Sequence, residues 1–154
     1  MIVLLTISLW LVAFGANIFF APKHTLLAYD EDEGWAKYIL WGLMAATCIA
    51  AFWAEPLTAW RLVGGISLFA LGTTIAIKAL RDNPFFRGDL VAPPFKITTG
   101  LYKYFDHPGY LGFAIRFLGV SFIANNGMSV GLFFAYMLFL LFRADIENEL
   151  LADL

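Results

Sequence analysis

An all-α membrane protein built from about five helices is the fold predicted by three observations on this 154-residue chain. Apolar residues make up 61% of it and charged residues 14%, where a soluble domain carries about a quarter charged residues. Mean hydropathy is +0.76. The apolar residues gather into five runs parted by polar stretches, and a hydrocarbon core of ~30 Å takes about 20 helical residues. The length suits one domain, 1–154, with three N-terminal helices over 1–77, a connecting segment over 78–106, and a helical hairpin with a charged tail over 107–154.

Residues 1–21 carry no charge and lack a basic leader and a small-x-small cleavage site, so they read as a retained span rather than a signal peptide. The acidic stretch YDEDEG at 29–34 reads as a solvated loop, and His24 as a surface residue. The second run, 38–54, is uncharged, and its Cys48 reads as a small core residue. Ala54, Glu55 and Pro56 form a tight turn into the third run, 57–77, which holds Arg61 near its start. Gly64, Gly65 and Gly72 on that run read as close helix packing, and Gly72 with Thr73 and Thr74 as a second possibility lines a cleft. The fourth run, 107–124, contains Arg116, a cation expensive to bury and therefore a functional candidate as well as a packing one. Asn125, Asn126 and Gly127 turn the chain into the fifth run, 127–142, which continues into a charged tail. The second and fifth runs are short enough to need their flanks.

Lys78, Arg81, Arg87, Lys96 and Lys103 all fall in the long segment 78–106. The positive-inside rule puts that segment in the cytoplasm, with the N-terminus outside and the C-terminus inside. Lys23, Lys37 and Arg143 fall on the same side. The net charge of −2 offers nothing to nucleic acid. With His24 and His107 the only histidines and Cys48 the only cysteine, no metal site is expected.

Chemistry-bearing residues concentrate in two places. In TTGLYKYFDHPGYLG, residues 98–112, Pro108 fixes its own φ and pushes His107 out of the helical region, so a helix is expected to start at the proline. Free amide groups at such a start can dock a carboxylate or phosphate. Asp106 as a cap and Gly112 as a packing residue are the structural alternatives. The second place is RADIENELLAD, residues 143–153, which sets Arg143, Glu147 and Leu151 on one helical face and Asp145 and Glu149 on another. Carboxylates at a helix C-terminus oppose the helix dipole, so stability does not call for them.

Together these two stretches resemble the superfamily of isoprenylcysteine carboxyl methyltransferases and phospholipid N-methyltransferases. The shared pattern is Gly100, Tyr102, His107, Pro108, Tyr110, Gly112 and Gly119, followed by a hairpin and then Arg143, Glu147 and Leu151. The resemblance covers roughly residues 70–154. It implies an integral membrane enzyme using S-adenosylmethionine, with the cofactor held on the cytoplasmic side by the C-terminal half. A zwitterionic cofactor needs an acceptor for its ammonium, which Glu147 or Glu149 suits. It needs a donor for its carboxylate, which His107, the helix start or Arg143 suits. Its adenine needs a wall, for which Tyr102, Tyr104, Phe105 and Tyr110 are available. Gly100, Pro108 and Gly112 complete the expected cofactor set, and Asp106, Arg116 and Arg143 the catalytic one.

Two positions depart from the pattern. Asp106 stands where the family usually has arginine, and Asn148 replaces the second of two paired glutamates, with Glu149 one place later. An aspartate would repel a carboxylate acceptor and attract an ammonium head group, so the expected acceptor is an amine-bearing lipid entering from the bilayer. Carboxyl methylation of a prenylated cysteine or a similar small lipophilic substrate is the alternative within the superfamily. A sterol-type nicotinamide-dependent reductase, a haem-binding carotene isomerase relative and a non-enzymatic scaffold are the alternatives outside it.

Overall fold

The computed structural model describes residues 1–20, 35–83 and 96–152. The expectations for His24, for 29–34, and for Lys23 and Arg87 lie outside these residues, and so does the side chain of Lys37. The described residues form five α-helices: α1, Ile2–Phe20; α2, Trp35–Ala50; α3, Ala59–Asp82; α4, Pro108–Ala124; and α5, Gly127–Ala152. Two 3-10 turns, Ala51–Trp53 and Gly100–Lys103, join them, and no strand occurs among the described residues. Ala59–Asp82 and Gly127–Glu149 are long and apolar enough to cross a membrane, while Ile2–Ala16, Tyr38–Trp53 and Pro108–Ala124 are shorter apolar helices.

One boundary differs from expectation. The third helix runs to Asp82 rather than residue 77, because Lys78, Ala79, Leu80 and Arg81 are good helix formers. It ends where Asn83 precedes Pro84, and a proline disfavours helix in the residue before it. The fifth helix continues without a break through the charged tail, for 26 residues.

The closest packing is between α3 and α4. A side chain added at Gly112 would meet Ala76 N at 2.6 Å and Gly72 O at 2.8 Å. One added at Gly119 would meet Gly65 O at 2.6 Å and Phe69 N at 2.7 Å. Gly65 and Gly72 are seven residues apart, as are Gly112 and Gly119, so each pair lies on one face two turns apart. The two backbones touch there.

Around this seam Trp10 of α1 ties the other helices together. Its indole N–H donates to Thr47 Oγ1 on α2 at 3.0 Å, and its ring lies 6.0 Å from Phe69 and 5.6 Å from Phe117. Phe117 stacks on Tyr136 of α5 at 4.5 Å. These rings, with Tyr110, Val120 and Leu140, form the core.

The end away from the His-Pro corner is latched by polar side chains. Arg61, 3% exposed, donates to Pro56 O at 3.0 Å and to Ile123 O at 2.6 Å, capping the last carbonyls of α4. Asn125, in the left-handed region at φ 46, donates to Glu55 Oε2 at 2.8 Å. Asn126 and Ser129 form a reciprocal cap at the start of α5. Ser129 N–H donates to Asn126 Oδ1 at 2.8 Å, and Asn126 N–H to Ser129 Oγ at 3.2 Å.

Replacing Gly72 with Ala drives a methyl group into the backbone of α4 and is expected to destabilise the fold by about 1 to 3 kcal/mol. Gly131→Ala meets nothing within 4 Å and should hold or raise stability by about 0.5 to 1 kcal/mol. Thermal unfolding midpoints in detergent check both; equal midpoints for the two variants would contradict a close α3–α4 seam.

Candidate active site at the His-Pro corner

The helix α4 starts at Pro108 as expected, with His107 before it outside the helical region, at φ −127 and ψ 64. Asp106 is not the cap: His107 occupies that position, and no side chain makes a capping hydrogen bond there. Nor is the start a bare amide cluster, because Tyr110 and Leu111 N–H both donate to His107 O, at 3.1 and 3.2 Å.

At this corner the end of α5 arrives alongside. Glu147 Oε2 lies 3.3 Å from His107 Nδ1, and Glu147 Oε1 accepts from the Tyr110 hydroxyl and lies 3.6 Å from Arg143 Nη2. The other ring nitrogen of His107, Nε2, is 3.0 Å from Asn148 Oδ1. The His107 ring stacks on Tyr110 at 5.4 Å, and the Arg143 guanidinium sits 5.5 Å from the Tyr110 ring centre. One carboxylate thus gathers a phenol, an imidazole and a guanidinium from two helices. Arg143 is buried, and no acceptor among the described residues is within hydrogen-bonding distance of its Nε.

Both ring nitrogens of His107 face oxygen acceptors, which favours the doubly protonated imidazolium. The Glu147 hydrogen bond raises the His107 pKa above its ordinary 6.5, against the opposing effect of burial, and Asn148 and Asp106 add to the rise. Tyr102 is half-buried beside the same carboxylate. Burial pushes its pKa up to about 12, with Glu147 and Asp82 adding to the rise and a hydrogen bond with Asn83 opposing it.

The corner therefore joins Tyr102, His107, Tyr110, Arg143 and Glu147, with Pro108 buried beneath. Of the two glutamates left open by the sequence, Glu147 is at the centre and Glu149 is exposed. Asp106 lies on the rim, its side chain 77% exposed and its Oδ1 3.6 Å from Lys96 Nζ. Gly100 is pinned against Asp82. Gly112 takes the packing alternative, its face filled by α3. Gly72 packs likewise, while Thr73 and Thr74 hydroxyls donate back to their own helix, at Phe69 O and Ala70 O. Arg116 is buried two turns inside α4, its guanidinium 5.9 Å from the Phe69 ring and 5.4 Å from Phe113. Tyr104 and Phe105, which follow the 3-10 turn, are exposed, while Tyr102 within the turn is half-buried.

Two residues of the site escaped the sequence reading. Asn148 was visible only as a departure from a glutamate pair, yet it contacts His107. Asp82 was hidden because the helix that carries it was expected to have ended.

A comparison with known families matches residues 60–154 to the family described as phospholipid methyltransferase. The chain belongs to the phospholipid methyltransferase family. The match spans α3, the His-Pro corner and α5, the elements that carry the site, and membership places the chain in a family of methyltransferases. No curated protein and no solved structure matches the chain.

His107 is expected to titrate above 6.5, and Glu147→Gln to bring its midpoint down. Because the folded pKa is raised, the stabilisation is fully present below about 6.5 and is lost as pH rises through the folded value. Carbon-13 histidine NMR, with His107→Gln for assignment, reads the midpoint; the stability of His107→Gln relative to wild type should improve on going from acid to alkaline pH. A midpoint unmoved by Glu147→Gln would break the proposed pairing.

Proposed function

We propose that this member of the family transfers a methyl group from S-adenosylmethionine to a lipophilic acceptor at the membrane interface, and that the acceptor is an amine-bearing lipid. The observation that carries the reading is the convergence of His107, Tyr110 and Arg143 on Glu147, which joins two motifs 36 residues apart (107 to 143) in one half-buried corner.

The residues present fit an amino-acid zwitterion. Arg143 has a buried Nε without an acceptor among the described residues, suited to a carboxylate. Glu147 is the acceptor for an ammonium, and its contacts with Tyr110 and His107 hold it in place. Tyr102 and Tyr110 offer the aromatic wall. When bound, the cofactor supplies an electrophilic methyl on a sulfonium. The chain's own part is to hold the acceptor's nucleophile in line with the carbon–sulfur bond, and positioning of this kind supplies much of a transfer rate. Asp106, on the rim, draws an ammonium head group toward the corner and takes a proton from it, since only the neutral amine attacks. Its exchange of Lys96 for the substrate ammonium costs little, because an exposed pair is weak. Arg116, deeper in α4, lies below the corner and faces Phe69 and Phe113 in the core; it offers a second cation to an anionic part of the acceptor.

We further propose that all five helices span the bilayer, with the N-terminus outside and the corner cytoplasmic. The described basic residues support this: Lys78, Arg81, Lys96, Lys103 and Arg143 stand toward the corner, and Arg61 alone among described Lys and Arg residues belongs to the opposite latch. Exposed Phe52, Trp53 and Trp60 near the latch and exposed Tyr104 near the corner fit two interfacial belts.

Single cysteines at 103, 149 and 125 in a Cys48→Ser background should react with an impermeant reagent from the inner face for the first two and from the outer face for the third. Any other sorting rejects the topology.

Incubation with radiolabelled S-adenosylmethionine and a total lipid extract should label an amine lipid. Glu147→Ala should weaken cofactor binding by about 10- to 100-fold, the worth of a charge-assisted contact. Asp106→Asn should lower turnover while leaving cofactor binding near wild type. Full activity of Asp106→Asn on the amine lipid would remove the role given to Asp106, label found on a carboxylate acceptor and on no amine lipid would overturn the amine reading, and unaltered cofactor binding in folded Glu147→Ala would move the ammonium site to Glu149 or remove it.

A further inference from the structure

We infer that Asp82, at the end of α3, is a positioning residue for this site: its carboxylate clamps the Gly100–Lys103 turn and thereby holds Tyr102 beside Glu147. The inference rests on the cofactor reading above for its functional consequence.

Asp82 is a poor candidate for a simple surface charge. Its side chain is 16% exposed, and its Oδ2 accepts the backbone N–H of Leu101, 19 positions away, at 2.7 Å. Oδ1 lies 3.2 Å from Lys78 Nζ, but that lysine is 56% exposed, and an exposed i,i+4 pair contributes little. The contact with the turn is therefore what uses the burial. Gly100 supports the same conclusion. It adopts φ +61, and a side chain there would meet the Asp82 carboxylate, with Oδ1 at 2.8 Å. Position 100 thus favours glycine twice over, for its left-handed backbone and for the approach of Asp82.

The clamp acts on Tyr102 through short links. Leu101 is fixed by Asp82, Tyr102 N–H donates to Thr99 O at 3.1 Å, and the next residue of α3, Asn83, hydrogen-bonds the Tyr102 side chain. Asp82 and Asn83 together grip the turn at its backbone and at its inward side chain. Without that grip, the turn loses its backbone hydrogen bond to the end of α3. Tyr102 would then lose its place in the wall that faces the cofactor.

The test uses full-length protein in detergent, with S-adenosylhomocysteine as the binding probe and the carbon-13 phenol resonance of Tyr102, assigned by Tyr102→Phe, as the structural one. In ligand-free wild type, Glu147→Gln should move the Tyr102 resonance; in an Asp82→Ala background it should not. Asp82→Ala should weaken S-adenosylhomocysteine binding about tenfold, the lower range for a hydrogen bond to a charged group, while kcat at saturating cofactor stays near wild type. Asp82→Asn keeps an acceptor oxygen for Leu101 and should restore affinity, and Lys78→Ala should change neither readout. Wild-type affinity and an unchanged Tyr102 resonance in Asp82→Ala would overturn the inference. Should that variant not fold, wild type decides: S-adenosylhomocysteine must shift the Tyr102 resonance, and a silent Tyr102 overturns the inference. A wild type that binds no S-adenosylhomocysteine rejects the cofactor reading itself, while the ligand-free resonances still decide whether Asp82 holds the turn.

Discussion

The direct contact of two helix backbones, Gly65 and Gly72 against Gly112 and Gly119, is the constraint on which the rest of the molecule depends. Lipid tails are as apolar as leucine, so helices in a bilayer gain little by hiding apolar side chains from one another and associate through packing instead. Removing four side chains at heptad spacing lets the backbones meet. The contact also sets a register: with Gly72 opposite Gly112 and Gly65 opposite Gly119, the start of α4 lies beside the end of α3. That register alone brings His107 and Tyr110 near Asp82 and Asn83, and it leaves the short turn at 100–103 to bridge the gap. The glycines give the site its location without touching any ligand.

The opposite end answers a different problem. A hairpin between α4 and α5 must point α5 so that Arg143 and Glu147, roughly four and a half and five and a half turns on, reach the His-Pro corner. Small angular errors at the turn grow along a 26-residue helix. The Asn126–Ser129 reciprocal cap, the Ser121 hydroxyl donating to Ser129 O at 3.0 Å, and Arg61 reaching Ile123 O fix that angle with side chains that would be costly to leave unpaired in an apolar setting. Asn126 also donates to Ala50 O at 2.9 Å, which ties α2 into the same latch. Trp10 then joins α1 to this frame through Thr47, Phe69 and Phe117.

Helix existence, the proline start of α4 and the packing role of Gly65 and Gly72 were legible in the sequence because each follows from local chemistry: apolar runs of membrane length, a fixed φ, and missing side chains on one face. The pairing of the His-Pro corner with the RxxxE face was legible only through the family resemblance, since nothing local says that residue 107 meets residue 147. Boundaries were less so. Hydropathy ended α3 at the first lysine, whereas helix propensity carried it to Asp82, and that one turn conceals the Leu101 contact. The inward or outward facing of the aromatics at 102–105 was not legible either, because it depends on how the 100–103 turn is held against the end of α3 and not on a local repeat. The capping pair of Asn126 and Ser129, by contrast, has a spacing that a reading of helix starts would have found.

The charge at the corner follows from the one position where the family's paired glutamates are broken. Asn148 accepts from His107 as a glutamate would, but it brings no charge. Among the described residues Glu147 is the single carboxylate in contact with both Arg143 and His107, and with a protonated imidazole the three side chains sum to one positive charge. A second carboxylate at 148 would neutralise the corner and raise the His107 pKa further. The asparagine keeps the geometry and adds no charge inside, while Asp106 stands on the exposed rim paired with Lys96. Arg143 and Glu147 stay a one-to-one pair inside, as Lys96 and Asp106 do on the rim, so the charge on His107 decides the sign of the corner.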